Sequence, residues 1–147
     1  MAKLFFTEKP KLIVIVMVAH VATYVLCGLI FMNLFNYEDY IEIIGFRPIE
    51  EIRFSTVLLA QMIRGTLIGI VIWWIRDSIF SKKLAWLKLW TILVILSIIS
   101  TYEPARFSIE GFIYLAPIGE LPRSIQWSVI EILVQPLLFS IVVTFRR

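Results

Sequence analysis

The sequence predicts an all-α membrane protein with four transmembrane helices, folded as a single domain over residues 1–147. Three observations support this class. Hydrophobic residues make up 60% of the chain, whereas a soluble domain is typically about 45–50% apolar. Four apolar runs approach the ~20 residues that cross the hydrocarbon layer. The basic residues cluster beside those runs, which is typical of membrane orientation rather than of nucleic-acid binding.

The first predicted span covers residues 12–35, where only His20 and small polar residues interrupt the apolar run. The second covers residues 54–75, the third is a shorter run at 84–101, and the fourth covers 125–144. Lysines precede the first run, as in a signal peptide, but the run is too long for a signal h-region. We therefore expect an uncleaved first helix and one compact four-helix bundle.

The distribution of basic residues predicts the direction of the helices. Nine of them flank one set of span ends: Lys3, Lys9, Lys11, Arg76, Lys82, Lys83, Lys88, Arg146 and Arg147. Four flank the other set, where acidic residues dilute them: Arg47, Arg53, Arg106 and Arg123. Because cytoplasmic loops carry the excess of lysine and arginine, both termini are expected in the cytoplasm.

The connections between the spans carry further predictions. The inner connection, about residues 76–83, is short and predicts an antiparallel hairpin of the second and third helices. In the first outer connection, residues 36–53, apolar side chains recur with helical spacing and predict an amphipathic helix on the outer membrane surface. These side chains are Tyr37, Tyr40, Ile41 and Ile44. The second outer connection, residues 102–124, is apolar but broken by proline and glycine, so we expect a re-entrant or capping loop.

Arg64 raises the main functional question, because it stands near the middle of the second span. A charge at the bilayer centre costs at least ~2.5–3.5 kcal/mol on insertion scales. Glu131 lies inside the fourth span, so an Arg64–Glu131 ion pair is expected if those two helices are neighbours. The pair would be a structural clasp or part of a functional site. Other polar residues extend this predicted intramembrane cluster, which could surround a polar cavity: Gln61, Gln135, His20 and Tyr24.

Two further features complete the candidate sites. Gly65 and Gly69 form a G-x-x-x-G on the second span, a spacing that lets another helix approach closely. The second outer connection offers a weaker candidate site at Glu103, Arg106 and Glu110, although charges with this spacing also stabilise short helices. Nucleophile-elbow, zincin and P-loop motifs are absent from the sequence. We therefore assign no catalytic residue, metal or cofactor.

Three stretches carry a resemblance to known proteins: "IRGTLIGIVIWWIRD", "WLKLW" and "SIEGFIY", in this order. Over roughly residues 60–140 the chain resembles a group of small bacterial four-helix membrane proteins. The resemblance implies a location in the bacterial inner membrane and carries no activity. It draws attention to Arg64, Glu110 and Gly111.

Three classes of function remain open. The leading one is a non-enzymatic membrane protein that acts by self-assembly or as a subunit of a membrane complex, as a pore-forming or effector-type component. Its contacts would be the lipid bilayer and a second copy or a partner membrane protein, without nucleic acid. The second is a small transporter or binding protein whose unpaired Arg64 captures an anion in a central pocket. The third is an enzyme acting on lipid at the outer face through Glu103, Arg106 and Glu110.

Overall fold

The computed structural model describes residues 9–35, 53–80, 83–99, 107–108 and 123–145. These residues form helices and no strand, which confirms the all-helical class for the described part of the chain. In chain order the elements are α1 (Lys9–Phe35), α2 (Phe54–Trp74), α3 (Arg76–Phe80), α4 (Ala85–Val94), a π-helical turn (Ile95–Ile99) and α5 (Arg123–Thr144).

Two of these helices are long and apolar enough to cross a membrane. They are α2 and the stretch Lys9–Leu34 of α1. The third and fourth predicted spans correspond to shorter apolar stretches, Ala85–Ile99 and Ser128–Thr144. The predicted outer amphipathic helix, and most of the predicted capping loop with Glu103, Arg106 and Glu110, lie outside the described residues.

Helix α1 occupies the centre of the described fold. It packs along α2 on one side and along α5 on the other, and α4 packs against α5. The sequence predicts a close hairpin of α2 and α4, but these helices have little direct contact. The short helix α3 separates them, and Leu84 adopts a left-handed conformation with φ of 65° before α4 begins. The two helices therefore leave a gap between them.

The seam between α1 and α2 is closely packed at two glycines. A Cβ atom added to Gly65 would lie 2.9 Å from the Cα atom of Met17. One added to Gly69 would lie 3.0 Å from the Cα atom of Ile13. A side chain at either position would therefore require the α1 backbone to move away. The close approach that G-x-x-x-G permits is thus used within the chain.

The apolar core lies toward one end of the bundle, where α1 begins and α2 and α5 end. Its buried side chains come from all five α-helices: Leu12, Val16, Ala19, Ile72, Ile79, Phe80, Ala85, Leu89, Phe139 and Val143. Burial of apolar side chains of this kind stabilises packing between helices through close van der Waals contact. Buried apolar side chains farther along the bundle, Cys27, Phe31 and Val94, lie outside this cluster.

A cluster of aromatic and basic side chains closes the same end. The Lys9 ammonium and the Arg76 guanidinium each lie 4.7 Å from the ring centroid of Trp73. Arg76 also donates a hydrogen bond of 2.9 Å to the Trp73 carbonyl. The cluster ties the start of α1 to the end of α2. Tryptophan beside lysine and arginine is typical of a membrane–water interface.

Candidate functional site: a polar cavity at Arg64

A cavity of about 280 Å³ lies in the middle of the bundle. Side chains from α1, α2, α4, the π-helical turn and α5 line it: His20, Arg64, Ile68, Leu93, Ser97, Ile98, Ile132, Gln135, Pro136 and Phe139. The lining therefore combines polar groups on several elements with a largely apolar wall.

Arg64 is the charged residue of this lining. It lies midway along α2, ten residues from both Phe54 and Trp74. Among the described residues, the ion pair that forms is Arg76–Asp77, at 3.7 Å. The Arg64 side chain is exposed and makes no hydrogen bond or ion pair with the described residues. Its guanidinium, with five N–H donors, is therefore available at the cavity.

The predicted Arg64–Glu131 ion pair does not form. The prediction depended on α2 and α5 being neighbours, whereas α1 lies between them. Arg64 and Glu131 both belong to the described part of the chain and no ion pair joins them, so the clasp expected from the sequence is absent from this structure.

His20 forms a polar contact between α1 and α2. Its Nε2 atom donates a hydrogen bond of 3.0 Å to Gln61 Oε1, and its side chain is buried, with 6% of its surface exposed. The edge of the Phe139 ring contacts the imidazole at 5.9 Å between centroids. The ring centroid of Tyr24 lies 6.4 Å from that of the same imidazole. Gln61 is therefore hydrogen-bonded to His20, and it does not line the cavity beside Arg64.

Of the predicted intramembrane cluster, the structure brings His20, Arg64 and Gln135 to the cavity wall. Gln61 and Tyr24 contact His20 from outside the lining. Glu131 does not line the cavity. Sequence reasoning also missed Ser97, which lies in the π-helical turn and faces the cavity. π-helical turns occur frequently at functional sites, but nothing in the local sequence "ILSII" indicates one.

A break in the helical hydrogen bonding of α5 adjoins the cavity. Pro136 has no N–H group, so the Ile132 carbonyl lacks the donor that a helix normally supplies four residues later. The Trp90 indole N–H donates a hydrogen bond of 3.1 Å to the next carbonyl, that of Leu133. Trp90 thereby joins α4 to α5 beside Pro136. This contact holds the α4–α5 wall of the cavity in place.

The cavity has a buried floor and an exposed mouth. His20 and Phe139 form the floor, with 6% and 2% of their surfaces exposed. Arg64 and Ser97 are exposed side chains on either side of the gap between α2 and the π-helical turn. The mouth is therefore at this gap, on the side of the bundle.

The geometry is that of a binding pocket. A guanidinium, a hydroxyl and a primary amide from three elements share a lining that is otherwise mostly apolar, which is the usual composition of small-molecule sites. Arg64, Ser97 and Gln135 all have N–H or O–H donors, so the site suits an acceptor group that carries negative charge. No protein-family model, curated protein or solved structure matches the chain.

Proposed function

We propose that this chain is a small integral membrane protein that binds an anionic group in the cavity at Arg64, as a transporter or binding protein. The observation that carries the proposal is the unpaired guanidinium of Arg64 in the wall of a cavity. An arginine halfway along an apolar helix is costly without a counter-charge. Because the described residues supply no carboxylate to it, an anionic ligand is the counter-charge that we propose.

The proposal includes four transmembrane helices in a bacterial inner membrane, with both termini in the cytoplasm. The length and hydropathy of α1 and α2 support the first two spans. The shorter α4 with its π-helical turn, and α5, would form the third and fourth. The cluster of Lys9, Trp73 and Arg76 supports an interface at the end where the basic residues collect.

Anion binding is favoured over self-assembly by the packing of α2. Self-assembly drew support from the small-residue seam at Gly65 and Gly69. That seam is occupied by α1 of the same chain, so it offers no free surface to a second copy. The reading as a lipid-acting enzyme depends on residues outside the described part of the chain and gains no support from this cavity.

Thermal unfolding of the purified full-length protein in a neutral detergent tests the proposal. The probes are sodium acetate, phosphate, benzoate and dodecanoate, each compared with chloride at equal ionic strength. A probe present at 100 times its dissociation constant stabilises the folded state by about 2.7 kcal/mol. We expect at least one of the four to raise the Tm of the wild type.

Two variants make the test specific to the cavity. Arg64→Gln removes the charge at the mouth. The anion that raises the Tm of the wild type should no longer raise the Tm of this variant. Arg76→Gln removes a charge that lies beside Trp73, at the end of the bundle. The anion should raise the Tm of this variant as much as it raises that of the wild type. The proposal fails if no probe shifts the wild type, or if Arg64→Gln responds as the wild type does.

A further inference from the structure

We infer that the anionic group bound at Arg64 is the carboxyl group of a single-chain amphiphile, which enters from the bilayer between α2 and the π-helical turn. This inference rests on the proposed function and names its ligand class. Three observations carry it: the depth of the mouth, its lateral direction, and the apolar wall beneath it.

The mouth lies at the middle of the bundle. Arg64 is ten residues from either end of α2, which corresponds to ~15 Å at a rise of 1.5 Å per residue. A hydrocarbon layer ~30 Å thick would place Arg64 close to the bilayer centre. Arg64 and Ser97, the exposed side chains of the lining, stand on the two elements that border the gap, so we expect the ligand to enter through the gap from the hydrocarbon.

This position selects among anions. A hydrated inorganic ion would have to leave water and cross hydrocarbon, which is prohibitively costly for an isolated charge. A phospholipid phosphate is held in the headgroup region, ~15 Å from Arg64 by the same helical rise. A carboxylic acid differs, because protonation makes it neutral and soluble in hydrocarbon. It can reach the mouth in this neutral form. The proton that it gives up to become the counter-charge of Arg64 passes to Nδ1 of His20, the ring nitrogen that is free to accept it, since Nε2 donates to Gln61.

The lining matches a carboxyl head group followed by a hydrocarbon chain. Guanidinium groups bind carboxylates through two parallel N–H···O bonds, and the Ser97 hydroxyl and the Gln135 amide offer further donors. Apart from His20, the rest of the lining is apolar: Ile68, Leu93, Ile98, Ile132, Pro136 and Phe139. A cavity of about 280 Å³ holds the head group and the first carbons of the chain. The rest of the chain would leave through the gap into the bilayer.

Binding of radiolabelled dodecanoate to the full-length protein in nanodiscs of neutral phosphatidylcholine tests the inference. Empty nanodiscs correct for partitioning into lipid, and acetate, phosphate and dodecanol are competitors. We expect saturable binding that unlabelled dodecanoate displaces at concentrations at least ~tenfold lower than the other three compounds. Arg64→Gln should weaken dodecanoate binding at least ~tenfold, as expected for lost charge-assisted hydrogen bonds.

The route of entry is tested at the mouth. Ser97→Trp places a large side chain in the gap and should weaken dodecanoate binding at least ~tenfold, a loss comparable to that of one well-packed contact. Leu96→Trp is the matched control, since Leu96 is 65% exposed, precedes Ser97 in the same π-helical turn and does not line the cavity. If Ser97→Trp does not fold, Ser97→Leu makes the same test with a smaller side chain.

The outcomes separate this inference from the proposed function. If acetate or phosphate binds as well as dodecanoate through Arg64, and Ser97 variants have no effect, the amphiphile is wrong but the anion pocket stands. If dodecanoate binds equally to the wild type and to Arg64→Gln, the inference is overturned. If no anion binds in a manner that depends on Arg64, the proposed function fails as well.

Discussion

His20 on α1 and Gln61 on α2 are joined by a hydrogen bond of 3.0 Å, although 41 residues separate them in the chain. The bond lies one helical turn from Arg64 and at the floor of the cavity. It orients the His20 imidazole, which has the tilted ring of Tyr24 and the perpendicular ring of Phe139 beside it. The hydrogen bond therefore joins α1 to α2 and also fixes the position of a side chain that lines the cavity.

Replacing either partner of this bond is expected to destabilise the protein. His20→Leu leaves the Gln61 amide without its partner, and Gln61→Leu does the same to the imidazole. A buried polar group left unsatisfied costs about 1–3 kcal/mol. The double variant should recover part of that loss, because neither group is then stranded. Unfolding of all four proteins in detergent measures the coupling, and strictly additive losses would contradict the bond.

The glycines of α2 give a second prediction, on the closeness of the α1–α2 seam. Gly65→Ala or Gly69→Ala inserts a methyl group against the α1 backbone and should destabilise the protein by about 1–3 kcal/mol, as overpacking does. Gly28→Ala is the matched control, because a Cβ atom there meets nothing within 4 Å. It should be neutral or stabilising by up to ~1 kcal/mol through helix propensity.

Native mass measurement accompanies this comparison. Since α1 of the same chain fills the seam, Gly65→Ala should lower stability without changing the oligomeric state. A variant that keeps its stability but loses a dimer would show instead that the glycines work between copies of the chain.

The separation of Arg64 from Glu131 gives a third prediction. Because Arg64 and Glu131 form no ion pair and their helices have little direct contact, the effects of Arg64→Leu and Glu131→Leu on stability should add within ~0.3–0.5 kcal/mol, as for independent sites. Breaking one partner of a true buried pair would cost ~3–5 kcal/mol and would be rescued in the double variant. Unfolding in detergent measures these effects. A rescue in the double variant would contradict this prediction and support the ion pair that the sequence suggests.

The fourth prediction concerns orientation in the membrane. In a Cys27→Ser background, which removes the single native thiol, Glu42→Cys should react with an impermeant thiol reagent added outside intact cells. Lys82→Cys should react only after the cells are permeabilised. The reason is the excess of basic residues near the termini and the inner connection. The opposite pattern of labelling would reverse the orientation.

Local features of this chain were readable from its sequence. The bounds of α1, α2 and α5 lie within a few residues of the predicted spans, because an apolar run marks a helix wherever it packs. Arg64 was recognised as costly from its position alone. The glycines at 65 and 69 indicated a close helix approach, because the absence of a Cβ atom is a property of the residue itself.

Which helices are neighbours was decided only by the tertiary structure. Apolar faces of similar hydropathy pack equally well in several orders, so the sequence does not state that α1 lies between α2 and α5. That order separates Arg64 from Glu131, brings His20 to Gln61 and opens the gap where Ser97 meets the cavity. The positions of the charges follow from the sequence, whereas their partners follow from the packing of helices distant in the chain.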